Sequence, residues 1–464
     1  MSSDLSIEAI VRPRRSARAA EAAEEAQGAP PISVAQMLVY AVPLSAAAFL
    51  LFFVQFYFLK FATDVLLLAP ATVGALFALA KVWDAVANPL VGYWSDRTTH
   101  RAGRRRPWMW ASLPLFGASF VLLWTPPEDL AAGPELLRTG VLLLVLYSAS
   151  TLFLVPHASL GAELTTDAHQ RNRIFGLRHA TWTAGLLASF AAIRLVTGSG
   201  DVREAVREVA IWGAACGVGL LAITPAFTRE SGAGRGRGGV SLSRALADVR
   251  ANRHARLLLA VWFIESLGAG VVGVLSPYVA EYVLRRPDLV ATLPGIYVVA
   301  GVLAVPVWVR LARLRGRRRT WLVAMVGTAF AFGGTFFAAS GDTTLLFVLI
   351  GVAGACMGCG GALGNAILTD VIDDDERRTG ERKEGVYSAA WAFALKLAVG
   401  AVTLAVGVVL EIAGFVPNQP QSASVTWALR GLFAGVPCAA FLLGAYLFRR
   451  FDLEPGRPAG ERVA

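Results

Sequence analysis

Residues 83–108 read WDAVANPLVGYWSDRTTHRAGRRRPW, and the stretch begins inside an apolar segment that starts near residue 70. Asp84 stands about 13 residues into that segment, which at 1.5 Å per helical residue puts it near the middle of a bilayer. A charge there costs on the order of 2.5–3.5 kcal/mol by insertion scales and marks an ion or solute pathway. The chain then turns at Gly92 and Asp96-Arg97 and passes Arg97, Arg101, Arg104, Arg105 and Arg106 before the next apolar segment. Arginines grouped beside a span mark its cytoplasmic end. An acid at mid-depth and a basic loop at one end together predict a spanning helix that serves transport.

The whole composition agrees with lipid as the solvent. The chain has 464 residues, 55% hydrophobic and 16% charged, where soluble domains carry about a quarter charged. Its net charge of +10 rests on arginine, because Lys60, Lys81, Lys383 and Lys396 are its four lysines. The arginines lie in loops between apolar runs, without the aromatic platforms or single basic face that nucleic-acid binding needs. Neither a catalytic triad spacing nor a metal-ligand set occurs, and GRGRGG at 234–239 lacks the flanking strand and helix of a nucleotide loop, so an enzyme or an ATP-driven pump is not expected. Cys356-x-x-Cys359 lies in GACMGCGGALG, a run of small residues suited to close helix packing rather than to a metal.

Twelve segments are long and apolar enough to span, with about 20 residues as the requirement: 33–60, 70–95, 107–125, 138–160, 177–197, 208–226, 257–283, 289–312, 320–339, 343–369, 384–411 and 426–449. Loops 95–107, 161–177, 227–256, 310–319 and 370–383 are rich in arginine, whereas 61–69, 126–137, 340–343 and 412–425 contain no basic residue. Arg285-Arg286 is the exception to this alternation. Both termini are therefore expected in the cytoplasm. The halves also repeat: Gly103-Arg104-Arg105-Arg106-Pro107-Trp108 recurs as Gly316-Arg317-Arg318-Arg319-Thr320-Trp321. Parallel six-span repeats predict an all-α major facilitator fold, two pseudo-symmetric six-helix bundles with the solute between them. The expected units are a basic cytoplasmic tail 1–31, bundles 32–226 and 257–450 joined by a linker 227–256, and a tail 451–464.

With Trp83 to Pro89, Ser95 to Thr98, Pro156 to Thr165, Asp370 to Asp373 and Arg382 to Tyr387 taken in order, the sequence resembles the glycoside–pentoside–hexuronide:cation symporters, the melibiose-permease-like branch of that superfamily. The resemblance implies import of a sugar or similar solute driven by Na⁺ or H⁺. It also implies a cation site of two acids one turn apart on the second helix. Here the first is Asp84, but the second position holds Asn88. The family's acid on the fourth helix falls at Leu154, and the inner half of the first helix, Pro43 to Phe49, has nothing ionisable. A lysine at the position of Lys396 belongs near the family's cation site.

From the residues themselves, Lys81 at i−3 and Asn88 at i+4 share nearly one helical face with Asp84, and either tune it or, for Lys81, pair with it statically. Lys396 lies at similar depth in the other half and is expected to bridge the halves. The expected cation-coupling set is Asp84, Asn88, Lys81 and Lys396. Gln55, Tyr57, Trp83, Arg178, Glu265 and Trp391 are expected at the solute cavity, and Asp96, Arg97, Arg104 and Arg105 in conformational gating. A lone carboxylate favours H⁺ over Na⁺, which wants several oxygen ligands. The expectation is a monomeric inner-membrane symporter whose partners are a small polar solute, a transported cation and the bilayer, with no cofactor or metal. The alternative is an uncoupled or export-type carrier of a non-sugar or amphiphilic solute.

Overall fold

The computed structural model describes residues 32–127, 131–165, 167–228, 230, 247, 249–338, 343–381 and 383–453. The expected tail 1–31, most of the linker 227–256 and the last tail from residue 454 lie outside the described residues. Twelve helices among the described residues are long and apolar enough to cross a membrane. In chain order they are α1 (Val34–Asp64), α2 (Pro70–Arg97), α3 (Arg106–Trp124), α4 (Ala132–Glu163), α5 (Ala168–Thr197), α6 (Val202–Phe227), α7 (Arg253–Tyr278), α8 (Thr292–Arg315), α9 (Arg317–Ala338), α10 (Thr343–Thr379), α11 (Glu384–Ile412) and α12 (Ala423–Phe448).

Local chemistry starts these helices where the sequence offers a cap. Pro70 and Pro107 fill first-turn positions, where a missing N–H costs nothing. Asp167, Asp201 and Asn252 accept backbone N–H groups of the first turns of α5, α6 and α7. Several boundaries differ from the sequence expectation: α4, α5 and α6 begin at Ala132, Ala168 and Val202, six to nine residues early, so that much of the expected loop 161–177 is helix. α10 continues to Thr379, because its last turns still pack against the protein: Val371, Ile372 and Asp375 are buried, and Asp375 faces the buried Lys383 at 3.4 Å. The basic segment 310–319 is helical rather than a loop: α8 runs to Arg315, α9 begins at Arg317, and Gly316 alone turns the chain at φ +83°. Its repeat partner Gly103 also has positive φ, +106°, but lies in a real loop.

The two halves pack alike. In the first bundle α1 lies on α5 and α6, α2 on α4, and α3 on α4 and α6. In the second, α7 lies on α11 and α12, α8 on α10, and α9 on α10 and α12. Each pair has its counterpart six helices later, so the sequence repeat is a packing repeat. The outer surface carries exposed large apolar side chains, among them Leu79, Trp212, Leu303, Phe330 and Phe337. On a soluble protein so much exposed apolar area would drive association; on twelve spans it meets lipid.

Between the bundles the pseudo-symmetry fails. α2 and α11 share the most extensive helix pairing in the protein, while their counterparts α8 and α5 barely touch. The α2–α11 seam closes through small residues. A Cβ on Gly407 would lie 2.3 Å from the Pro70 carbonyl oxygen, and one on Gly74 would lie 2.8 Å from that of Thr403. Backbone-to-backbone approach of this kind is how helices associate where lipid removes the hydrophobic drive. Gly407→Leu is expected to lower stability by about 1–3 kcal/mol through overpacking, whereas Gly295→Ala, whose added Cβ meets nothing within 4 Å, leaves it unchanged. Thermal unfolding of the purified protein in detergent checks both, and equal melting of the two variants would contradict the seam.

Candidate functional site

The seam ends, halfway along α2, in a cluster of charges. Asp84 Oδ1 lies 2.8 Å from Lys396 Nζ on α11, an ion pair between the bundles. Thr151 on α4 donates its hydroxyl to the same Asp84 oxygen at 2.8 Å and lies 3.1 Å from Asn88 Oδ1. A hydroxyl has one proton, so both contacts are satisfied when the Asn88 amide is turned to donate back. Lys81 does not pair with Asp84. Its ammonium sits 4.2 Å from the centre of the Tyr147 ring and 3.5 Å from Gln55 Oε1, a cation–π contact and a weak hydrogen bond. Asp84 and Lys81 are buried, while Lys396 is about a fifth exposed and Asn88 half-buried. One carboxylate thus faces two lysines, and the cation that holds it belongs to the other half.

From this pair the polar contacts joining the bundles run toward the end opposite the linker. Lys60 on α1 is buried, pairs with Asp64 one turn on, and reaches Glu281 of the π-helical turn after α7 at 2.7 Å. Tyr282 donates to Asp64 at 2.5 Å, Thr63 and Tyr278 lie 2.9 Å apart, and Asn418 Nδ2 donates to the Asp64 carbonyl at 2.7 Å. Arg194 of α5 donates to the Asp288 carbonyl at 2.5 Å. Toward the linker, Ser388 and Ala389 of α11, about two turns before Lys396, are exposed. The bundles therefore meet at the far end and part toward the linker, with the Asp84–Lys396 pair on the floor of the opening.

At the linker end the arginine motif ties the first bundle together. The backbone N–H groups of Arg104, Arg105 and Arg106 donate to the Glu230 carboxylate at 2.7, 2.9 and 3.0 Å. A side chain at Gly103 would collide with that carboxylate, at 2.4 Å. Arg104 and Arg105 each reach Glu163 at 3.0 Å, and Arg105 also reaches Asp96 at 3.4 Å. Arg97 stands apart from these acids, stacked 3.5 Å over the Tyr93 ring. Asp96, Arg104 and Arg105 thus form one cluster within a bundle, and their partners here are not across the halves.

Three residues expected at the cavity lie elsewhere. Trp83 belongs to the exposed outer stripe of α2 with Leu79, Val86 and Leu90, about 200° around the helix from Lys81, and donates to Ser148 of α4. Tyr57 is buried in the aromatic core of the first bundle against Phe53 and Trp124. Glu265 is 1% exposed and closed within the second bundle beside Trp321, Gly360 and Gly444. Trp391 stacks on Trp262 with 4.2 Å between ring centres and is nearly buried. Gln55 does join the central cluster, through Lys81. Arg178 sits over Phe175 in the linker half of α5, half-buried. Sequence reasoning missed Thr151 and Tyr147, one and two turns before Leu154, and the Lys60–Asp64–Glu281 group. The signal for the last was a lysine and an acid four apart at the end of an apolar run.

A double-mutant cycle on Asp84→Asn and Lys396→Met is expected to be non-additive by about 0.5–3 kcal/mol, the double variant recovering part of the stability that each single change loses. Additive melting shifts would mean that the two charges do not interact.

A sequence model of the family described as MFS/sugar transport protein matches residues 39–455. The isoprimeverose transporter of Lactiplantibacillus pentosus is 29% identical over 419 residues, 87% of this chain and 86% of that protein. The inner membrane symporter YicJ of Escherichia coli is 24% identical over 435 residues, 90% and 92% of the two chains. Among solved structures, a D-xylose-proton symporter superposes with a TM-score of 0.63 at 15% identity, covering 89% of this chain and 97% of that one. The inward open xylose transporter XylE of E. coli gives 0.65 at 16%, covering 91% and 97%. Twelve helices in two like bundles, a charge pair bridging them at mid-depth and a match along nearly the whole length lead to one conclusion: this chain belongs to the MFS/sugar transport protein family, as a multi-pass membrane carrier of the major facilitator fold and not an enzyme.

Proposed function

We propose that the protein is a secondary symporter that takes up a sugar, glycoside or similar polar solute together with a proton. The observation that carries this reading is the ion pair between Asp84 and Lys396 across the bundles. A carboxylate can hold a proton or face an ammonium as its counter-ion, and the two uses compete. Proton binding at Asp84 therefore weakens one contact that holds the bundles together, which is the differential interaction a ligand needs to shift a conformational equilibrium. Support for H⁺ over Na⁺ comes from the site's charges. Asn88 stands where a second acid would be, and Lys396 already pairs with the one carboxylate, with Lys81 three residues away on the same helix. Relatives named as glycoside, isoprimeverose and glucuronide carriers support the solute class.

The arginine-rich end faces the cytoplasm of a bacterial inner membrane in this reading, and the form described is open inward. Asp84, stripped of its proton, is held by Lys396. Gln55, Asn88 and Lys81 provide donors and acceptors for hydroxyl groups at the floor of the cleft, and Arg178 lies on its inner approach. Lys60, Asp64 and Glu281 shut the outer end.

Two outcomes follow. Asp84→Asn is expected to abolish solute accumulation driven by a pH gradient in proteoliposomes while leaving counterflow exchange of the same glycoside measurable; accumulation at the wild-type level would defeat the coupling assignment. Lys60→Ala is expected to loosen the outer closure, so that a cysteine placed at Thr63, which is 1% exposed in the closed end, reacts faster with a membrane-impermeant maleimide added outside. Unchanged labelling would remove Lys60 from the gate.

A further inference from the structure

A second carboxyl lies at mid-depth, in the other bundle and away from the charge pair. Glu265 is 12 residues into α7, about 18 Å along the helix. It is 1% exposed, and no Lys, Arg or His among the described residues lies within ion-pair distance of it. Its Oε2 has no hydrogen-bond partner. The same is true of two other buried polar atoms nearby, Trp262 Nε1 one turn earlier on α7 and Tyr297 Oη on α8. Glycines of α10 and α12 stand against the carboxyl itself. A Cβ at Gly360 of α10 would stand 3.2 Å from Trp321 Nε1 and 3.6 Å from Glu265 Oε2, and one at Gly444 of α12 would stand 3.4 Å from Glu265 Cγ.

The other helices packed around Glu265 bring few titratable groups and no cation. α8 brings Tyr297, α10 brings Cys359 with Cys356 beyond it, α9 offers the Trp321 indole N–H as a donor, and α11 the Trp391 ring. A bare carboxylate in such surroundings has one donor for its charge, and an ionised group buried without a counter-ion is the costliest arrangement a protein interior can hold. A carboxylic acid fits. The neutral form carries no charge that has to be paired, so it costs far less in this setting.

We propose that Glu265 is a second proton-binding site, in the second bundle, occupied in the inward-open form. Each half then carries one ionisable carboxyl at mid-depth: Asp84 facing a lysine of the opposite bundle, Glu265 facing only neutral groups of its own. Loss of the Glu265 proton leaves a charge that the packed bundle cannot hold, so release requires α7 and α10 to part and admit water. The inference goes beyond the reading of Asp84 and stands without it.

The test is infrared difference spectroscopy of the full-length protein in lipid bilayers, with the proton itself as the probe. At neutral pH, wild type minus Glu265→Gln is expected to show the carbonyl stretch of a protonated carboxylic acid. The band should survive in Asp84→Asn and shift in Glu265→Asp, which keeps the acid and shortens it. It should also move when glutamate is labelled with heavy carbon. A neutral-pH spectrum without that band overturns the proposal, as does a band removed by Asp84→Asn and untouched at position 265. Should Glu265→Gln fail to fold, the shift in Glu265→Asp decides alone: a moved band supports the site and an unmoved one refutes it. Failure of Asp84→Asn to abolish accumulation would sink the coupling reading and leave this band where it is.

Discussion

The single contact between Asp84 and Lys396 constrains the rest of the molecule. Neither charge is tolerable alone at the middle of a bilayer, and each supplies what the other lacks. Because they sit on different bundles, the pairing that neutralises them also decides how the bundles meet. A pair within one bundle would have satisfied the same electrostatics and said nothing about conformation. Lys81 makes the contrast plain. It lies one turn from Asp84 on the same helix, yet rests on the Tyr147 ring and leaves the carboxylate to the lysine across the cleft.

Around that contact the glycines of α2 and α11 do what a hydrophobic core does in water. Gly74, Gly400 and Gly407 let the backbones approach until carbonyls and Cα atoms touch the facing helix. The charge pair stands where this seam stops, between a zipped half away from the linker and a parted half toward it. Closing and opening about such a point needs no deformation of either bundle, only rigid tilting, which suits interfaces that are bistable rather than elastic.

The arginine motif has two physical roles. Its Arg104 and Arg105 side chains pair with Glu163 within the bundle, and its backbone N–H groups at the start of α3 bind Glu230, the first described residue of the linker beyond α6 and its capping Thr228. Gly103 is required there by a positive φ and by the closeness of the Glu230 carboxylate. In the second half the same letters form a one-residue hinge between α8 and α9, with Arg317 on Asp370 at 2.5 Å. The same four letters, GRRR, thus serve two local structures, with Pro107 following in one half and Thr320 in the other.

Apolar run length, alternating arginine loops and the repeated GRRR motif determined twelve spans and two like halves, since these depend on composition and period alone. The depths of Asp84 and Lys396 were also legible, because rise per residue is fixed. The facing of each side chain was not. Trp83, next to Asp84 in sequence, points to lipid; Tyr57 and Glu265 turn into the bundles; Thr151 rather than Leu154 reaches the acid from α4. Rotation of a helix about its axis is set by the ridges and gaps of its neighbours, which lie a hundred or more residues away in the chain, so only the assembled bundles could decide which charge meets which.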